Sequence, residues 1–333
     1  MDSTLKQHLK LAKKMIQDIS YLKSNHGSFD RIYPFSNENL ADCFDFFDIK
    51  NKNCLSIMGS CDQALELYSR GAKTVTTFDC NPLTEYYGYL KIAAILSEFS
   101  NSKFLDFFSC KSEYPYLTKE DSFSRKHFLE LKDSLKSLSD FSFQFWGELL
   151  NEFDPLSVRV GGRLFNYQIM ESMLPYFIPY LKAKNYEQLI SKFKEKKTED
   201  LLDFIPSNIL DLNSKLKQKY DFIYLSNIMQ YTSAIYPDYL SQKDKLKAYR
   251  QTIEQLSSYL QPNGKIVIGY LYAFHFEMNN RNSQYISDVQ TVFPKTDIEY
   301  LSFPSIEQKV EFMLGNIKSK NIGNDVCLVY TKK

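Results

Sequence analysis

Cysteine pairs, histidine clusters and long apolar runs are all missing from this chain, and each absence closes a class of function. The six cysteines (Cys43, Cys54, Cys61, Cys80, Cys110, Cys327) include no C-x-x-C pair and follow no secretory leader, so a reduced, cytoplasmic setting is expected rather than a disulfide scaffold. Only four histidines occur (His8, His26, His127, His275), none at zinc-ligand spacing from another or from a cysteine pair, and no metal site is expected. His26 and His275 fall in loop-like segments, where a lone histidine is usually a packing or surface residue. No apolar run approaches the ~18 residues that span a bilayer; the longest, residues 266–276, is interrupted by Gly269 and His275. Integral membrane association is not expected. With 41 basic against 40 acidic side chains, there is no electrostatic case for a nucleic-acid partner. The densest basic cluster, residues 192–197 (KFKEKK), contains Glu195 and sits in a helical pattern, which reads as a solvated face.

What is present is the composition of a soluble globular protein, 44% hydrophobic and 24% charged over 333 residues. That length exceeds the usual single domain and suggests a core carrying a large insertion. Residues 1–23 place Leu5, Leu9, Leu11, Met15, Ile16 and Ile19 at helical spacing. A turn-rich aromatic stretch, residues 33–39, follows and precedes another helical pattern, for which Ser36 or Asn37 is the expected cap. This stretch is also well placed to fold over a bound ligand.

The most informative segment runs from Cys54 to Pro82 (CLSIMGSCDQALELYSRGAKTVTTFDCNP). An apolar strand meets Gly59, an amphipathic helix follows, and a second strand closes on Asp79: a β-α-β unit of about 30 residues. A residue without a side chain lets a ligand approach the backbone, and a carboxylate at the end of the second strand accepts hydrogen bonds from both ribose hydroxyls. A dinucleotide would need G-x-G-x-x-G, but Ser60, Cys61 and Asp62 follow Gly59. Without the second and third glycines a pyrophosphate lacks its backbone cradle, which disfavours NAD and FAD.

After Pro82 a helix is expected through Leu96, and no third strand follows at once. Residues 97–200 read instead as helices (124–138, 141–152, 167–181, 186–196), and strand character resumes at residues 201–206. Insertions this long are usually functional, here a substrate or lid module. Residues 219–225 read as a buried strand ending at Ser226 and Asn227. A helix over 245–260, a turn at 261–264 and a strand over 265–270 come next, and residues 300–303 and 326–331 supply two more strands, the last antiparallel. The expected organisation is an N-terminal helical cap and aromatic loop (1–50), a core (51–96 and 201–333) and the helical insertion (97–200). No internal repeat or low-complexity tract is visible.

The degenerate glycine turn and the acid twenty residues later resemble the first two motifs of class I S-adenosylmethionine-dependent transferases. The later strand, helix, L-x-P-x-G turn and strand resemble their second half. The resemblance implies an α/β fold, a Rossmann-like seven-stranded methyltransferase sheet, with a large helical insertion between strands two and three. It implies S-adenosyl-L-methionine as co-substrate, held by Gly59, Ser60, Asp79, Asn81 and Ser226, with Asn208, which follows Ser207 at the end of strand three, on the adenine amino group. Asp62 is expected either to meet the ligand's ammonium group or to cap the following helix. Asn227, Gln230 and Tyr231, after strand four, are the candidates to orient or deprotonate an acceptor, although no strong base is evident there. More narrowly, the GSCDQAL turn, FDCNP followed by LKIAAI, Phe145-Trp146 and Gly161-Gly162-Arg163-Leu164-Phe165 are similar to the BtaA-like 3-amino-3-carboxypropyltransferases. Trp146 itself reads as core before acceptor platform. The function implied is alkylation of a small polar acceptor, by aminocarboxypropyl transfer or, alternatively, methyl transfer. A non-enzymatic S-adenosylmethionine sensor is the rival from another class. The oligomeric state is not legible.

Overall fold

A computed structural model describes residues 2–18, 31–109, 120–159, 164–166, 169–197, 200–272, 283–315 and 323–333. Strands β1 (Asn53–Ile57), β2 (Thr74–Asp79), β3 (Asp203–Pro206), β4 (Tyr220–Tyr224), β5 (Leu260–Leu271), β6 (Glu299–Pro304) and β7 (Asn324–Thr331) form a seven-stranded sheet in the order β3-β2-β1-β4-β5-β7-β6. β4 pairs in parallel with β1 and β5, whereas β7 is antiparallel to both β5 and β6. This is the mixed α/β sheet expected from the sequence, with its antiparallel last strand. The strand order reverses between β1 and β4, where Cys54, Leu55 and Ser56 pair with Phe222, Ile223 and Tyr224. Both strands are almost wholly buried, as parallel strands covered on two faces must be.

Between β2 and β3 the described chain is helical: Leu83–Leu96, Asn101–Phe108, Arg125–Leu138, Asp140–Glu152, Pro155–Arg159 and Ala183–Glu195. Three of these starts are marked by serine N-caps: Ser100 accepts from the Lys103 amide, Ser124 from that of His127 and Ser139 from that of Ser142. The helix expected over 167–181 is instead three short turns, Glu171–Met173, Leu174–Phe177 and Pro179–Leu181. Pro175 and Pro179 each remove an amide donor and break the run; Tyr167 and Gln168 lie outside the described residues. Ser36 and Asn37 do not cap the next helix. Asn39 does, its Oδ1 accepting from Asp42 N in front of Leu40–Phe44.

Two further boundaries differ from expectation. The helix assigned to 245–260 spans Gln242–Leu256, because Ser241 caps it by accepting from Asp244 N. The turn at 261–264 is absorbed into β5 as an irregularity: Tyr220 pairs with Leu260 and Phe222 with Lys265, and Asn263 takes a left-handed φ of 61°.

The chain divides into two compact units, one of Met1–Asn37, Met58–Ser69 and Thr77–Pro206, the other of Glu38–Ile57, Arg70–Thr76 and Ser207–Lys333. The first has an aromatic core. Trp146 is fully buried, donates Nε1–H to the Tyr86 carbonyl at 2.8 Å, and lies within 5.8 Å of the Phe123 ring, so it is core as expected. The helix Ser3–Gln17 buries Leu5, Leu9, Ala12, Met15 and Ile16 along one face. Lys192, from the basic cluster, donates to the Ser69 carbonyl at 2.7 Å and caps the end of the helix Asp62–Ser69. In the second unit Phe44 stands edge-on to Tyr224 at 4.9 Å, and Tyr270 to Phe303 at 5.5 Å.

Candidate functional site

In the first unit the site begins where the chain leaves β1. Met58 to Cys61 form a tight turn, closed by the Cys61 amide on the Met58 carbonyl at 2.6 Å, before the helix Asp62–Ser69. Gly59 and Cys61 both have left-handed φ, 49° and 69°. Glycine adopts this freely, whereas a residue with a Cβ is strained there by about 1–2 kcal/mol. A Cβ on Gly59 would meet nothing nearer than the Gln63 amide at 3.7 Å, so φ rather than crowding demands the glycine.

Asp79, at the end of β2, ties this turn down. Its Oδ2 accepts from Gly59 N and its Oδ1 from Asn81 N, each at 2.9 Å. Burial raises its pKa from the ordinary 3.8 to about 6, against the opposing pull of the Asn81, Gly59 and Cys80 amides. The Gly59 and Asn81 amides take one position on each oxygen, and the Cys80 amide and thiol also bond to the carboxylate. Asn81 is otherwise engaged: Oδ1 accepts from Leu83 N at 3.0 Å and Nδ2 donates to the Arg31 carbonyl at 3.4 Å.

Asp62 does neither of the two things expected of it. Its carboxylate is fully buried and accepts four hydrogen bonds, from Lys91 Nζ and Tyr180 OH on Oδ1, both 2.6 Å, and from Ser36 N (2.6 Å) and Ser60 Oγ (2.8 Å) on Oδ2. No acceptor position remains for a ligand ammonium group, and Asp62 is the first residue of its helix rather than the cap before it. Ser60 is likewise committed to Asp62. Burial pushes the Lys91 pKa down, opposed by Asp62, and its ammonium lies 4.3 Å from the centre of the Phe35 ring. Glu66, one turn on, accepts the Tyr180 amide at 2.8 Å. Tyr180 of the insertion is thus held by hydroxyl and backbone to the helix that follows the glycine turn. A signal for this hub existed in the sequence: Lys91 is the only charge inside the apolar run LKIAAI.

In the second unit Ser226, two residues beyond the end of β4, is again left-handed (φ 54°). Ser226 Oγ and Tyr224 OH both donate to the buried Glu38 carboxylate, the latter at 2.9 Å. Asn227 precedes the 3₁₀ turn Ile228–Tyr231, and its carbonyl accepts from Gln230 N at 2.9 Å. Asn227, Gln230 and Tyr231 are all half-buried. Sequence reasoning missed Glu38, an acid inside the aromatic stretch that was read only as a loop and helix start. Asn208 is exposed and committed to its own turn: Oδ1 accepts from Leu210 N and Asp211 N, and Nδ2 donates to Asp211 at 2.8 Å. A role on adenine would require breaking that turn.

The site residues of the first unit therefore fall in two hydrogen-bonded groups that are neighbours along the chain, Gly59, Asp79 and Asn81 in one and Ser60 and Asp62 in the other. Those of the second (Ser226, Asn227, Gln230, Tyr231) share one turn, from which Asn208 is separate. His26, His275 and Gly161-Gly162-Arg163 lie outside the described residues. Among the described residues no group of three or more His, Cys, Asp or Glu side chains could hold a metal ion. No described helix is long and apolar enough to cross a membrane.

No protein-family model and no curated protein matches the chain. Solved structures do. A Streptococcus mutans protein provisionally assigned as an S-adenosylmethionine-dependent methyltransferase is 12% identical, covering 85% of this chain and 45% of its own (TM-score 0.35). A provisionally assigned S-adenosylmethionine-dependent methyltransferase of Listeria monocytogenes is 8% identical over 89% of this chain and 98% of its own (TM-score 0.34). A provisionally assigned O-methyltransferase of Klebsiella pneumoniae is 10% identical over 100% of this chain and 91% of its own (TM-score 0.34). The chain spans about half the length of the Streptococcus protein. At these values its function has to be argued from its own residues.

Proposed function

We propose that the chain is an S-adenosylmethionine-dependent transferase acting on a small polar acceptor. The observation that carries this reading is the Gly59 N–H bond to Asp79, which sets a buried carboxylate at the end of β2 beside a left-handed glycine at the end of β1. That arrangement suits a nucleoside ribose, and the absent second and third glycines disfavour a pyrophosphate. Asp79 and Gly59 would hold the nucleoside. In the second unit Asn227, Gln230 and Tyr231 of the Ser226–Tyr231 turn are the side chains we assign to orienting an acceptor's nucleophile. When bound, the co-substrate supplies a sulfonium with an activated carbon.

The favoured chemistry is aminocarboxypropyl transfer, supported by the sequence resemblance and by the long helical insertion, which we assign as the substrate or lid module. An acceptor lone pair forms a bond to the γ-carbon, the carbon–sulfur bond breaks with its electron pair left on sulfur, and the acceptor gives up a proton. The nucleoside released is then 5′-methylthioadenosine. Attack at the methyl carbon instead releases S-adenosylhomocysteine.

Calorimetry is expected to show binding of S-adenosylmethionine and S-adenosylhomocysteine and none of NAD; the reverse result would end the reading. Incubation with S-adenosylmethionine and a metabolite extract, followed by chromatography, is expected to show 5′-methylthioadenosine. Extract-dependent S-adenosylhomocysteine would leave a methyltransferase, and binding with neither product would leave a sensor.

A further inference from the structure

The Ser226–Tyr231 turn begins on a residue whose backbone is unfavourable for it, and something must hold it there. Ser226 is left-handed at φ 54° although it carries a Cβ, and such strain persists only where the surroundings over-determine it. Its hydroxyl donates to Glu38, which is only 2% exposed. Glu38 is itself well fixed. Tyr224 OH, from β4, donates to its other oxygen at 2.9 Å. The next residue, Asn39, donates its amide to Tyr270 OH on β5 at 2.8 Å, and Tyr270 OH donates to Asp325 on β7 at 2.7 Å. Asn39 Nδ2 also donates to the Pro304 carbonyl at the end of β6. The carboxylate therefore reaches Ser226 from a segment bonded directly to β5 and β6 of the same unit, with Tyr270 carrying the link on to β7.

We infer that Glu38 is the positioning residue of the acceptor turn: by holding Ser226 in its left-handed conformation it sets the direction in which Asn227, Gln230 and Tyr231 leave β4. This rests on the transferase reading given above. Glu38 acts through Ser226 and not on the reacting atoms. In Glu38→Gln the amide is a poorer acceptor for the serine hydroxyl and presents a donor to one of the two hydroxyls. Ser226→Gly removes both the strain and the hydroxyl through which Glu38 acts.

The test is a double-mutant cycle read by turnover of S-adenosylmethionine in metabolite extract, by calorimetry with S-adenosylhomocysteine, and by amide hydrogen exchange of peptides covering residues 225–231. Glu38→Gln is expected to keep S-adenosylhomocysteine affinity within about twofold, to lose at least tenfold in turnover, and to exchange faster across 225–231. In the Ser226→Gly background the same substitution is expected to change turnover by less than about twofold and exchange hardly at all. An equal loss in both backgrounds would overturn the inference by giving Glu38 a direct or general structural role; no loss in either would overturn it outright. Because exchange needs no acceptor, it separates a failed inference from a failed transferase reading, which would show as no adenosyl-ligand binding by the wild type.

Discussion

Lys91→Met is expected to lower the free energy of unfolding by about 3–5 kcal/mol, the usual cost of leaving one partner of a buried ion pair uncompensated. Lys91 and Asp62 are both fully buried, 2.6 Å apart. Removing the ammonium leaves a carboxylate with three donors, Tyr180 OH, Ser60 Oγ and Ser36 N, and no counter-charge. Adding Asp62→Asn should recover a substantial part of the loss. With its oxygen facing Ser36 N and Ser60 Oγ and its NH₂ donating to the Tyr180 hydroxyl, the neutral amide keeps these partners, so the burial penalty of a charge disappears while they stay satisfied. Urea unfolding of the wild type, the single variant and the pair measures both steps. A single variant within 1 kcal/mol of wild type would mean that the pair is not buried in solution, as would a double variant no better than the single.

Asp79 is expected to make ligand affinity and ligand-free stability respond to pH in opposite directions. Its folded pKa, raised by burial to about 6, lies above the unfolded value near 3.9. The folded state therefore favours the protonated form. The stability this contributes is fully present below about pH 3.9 and is lost as pH rises through 6, a swing of about 3 kcal/mol at most. Ribose hydroxyls need the ionised form, so S-adenosylhomocysteine affinity should hold steady above pH 7 and weaken as pH falls through 6, approaching tenfold per unit. Asp79→Ala should cost about 1.5–3 kcal/mol of binding at pH 7.5, the range for charged hydrogen bonds, and abolish the pH dependence. Calorimetry between pH 5 and 8, with urea unfolding over pH 4–7, checks both limbs. An Asp79→Ala variant that stays folded and binds as well as the wild type would show that this carboxylate does not face the ligand.

The elements that the sequence made legible were those governed by short-range pattern. The unit from Cys54 to Asp79 could be read because apolar alternation, a glycine needing positive φ and an acid at a strand end are local features, and β1, β2 and the intervening helix appear within a few residues of expectation. The misreadings have local causes too. Pro175 and Pro179 break a run that hydrophobic spacing alone made continuous, and Asn39, directly before Leu40, is the residue whose side-chain oxygen reaches the Asp42 amide, whereas Ser36 lies four positions before the helix.

By itself, then, the sequence determined the strand succession, the helical insertion and the Gly59–Asp79 spacing, since each depends on periodicity or on the backbone preferences of individual residues, whereas the antiparallel direction of the last strand is a matter of its pairing with β5 and β6. Only the tertiary structure decided what the polar side chains do. Asp62 and Lys91 are 29 positions apart, Asp62 and Tyr180 118 apart, and Glu38 and Ser226 188 apart, so nothing in their neighbours along the chain marks them as partners. Burial then removes water as the alternative partner and makes each of these groups spend its hydrogen bonds on whatever the fold brings near. For that reason Asp62, which reads as a ligand contact or a helix cap in one dimension, is a saturated structural hub in three, while Glu38, which reads as a loop acid, is bonded to Ser226 ahead of the Ile228–Tyr231 turn.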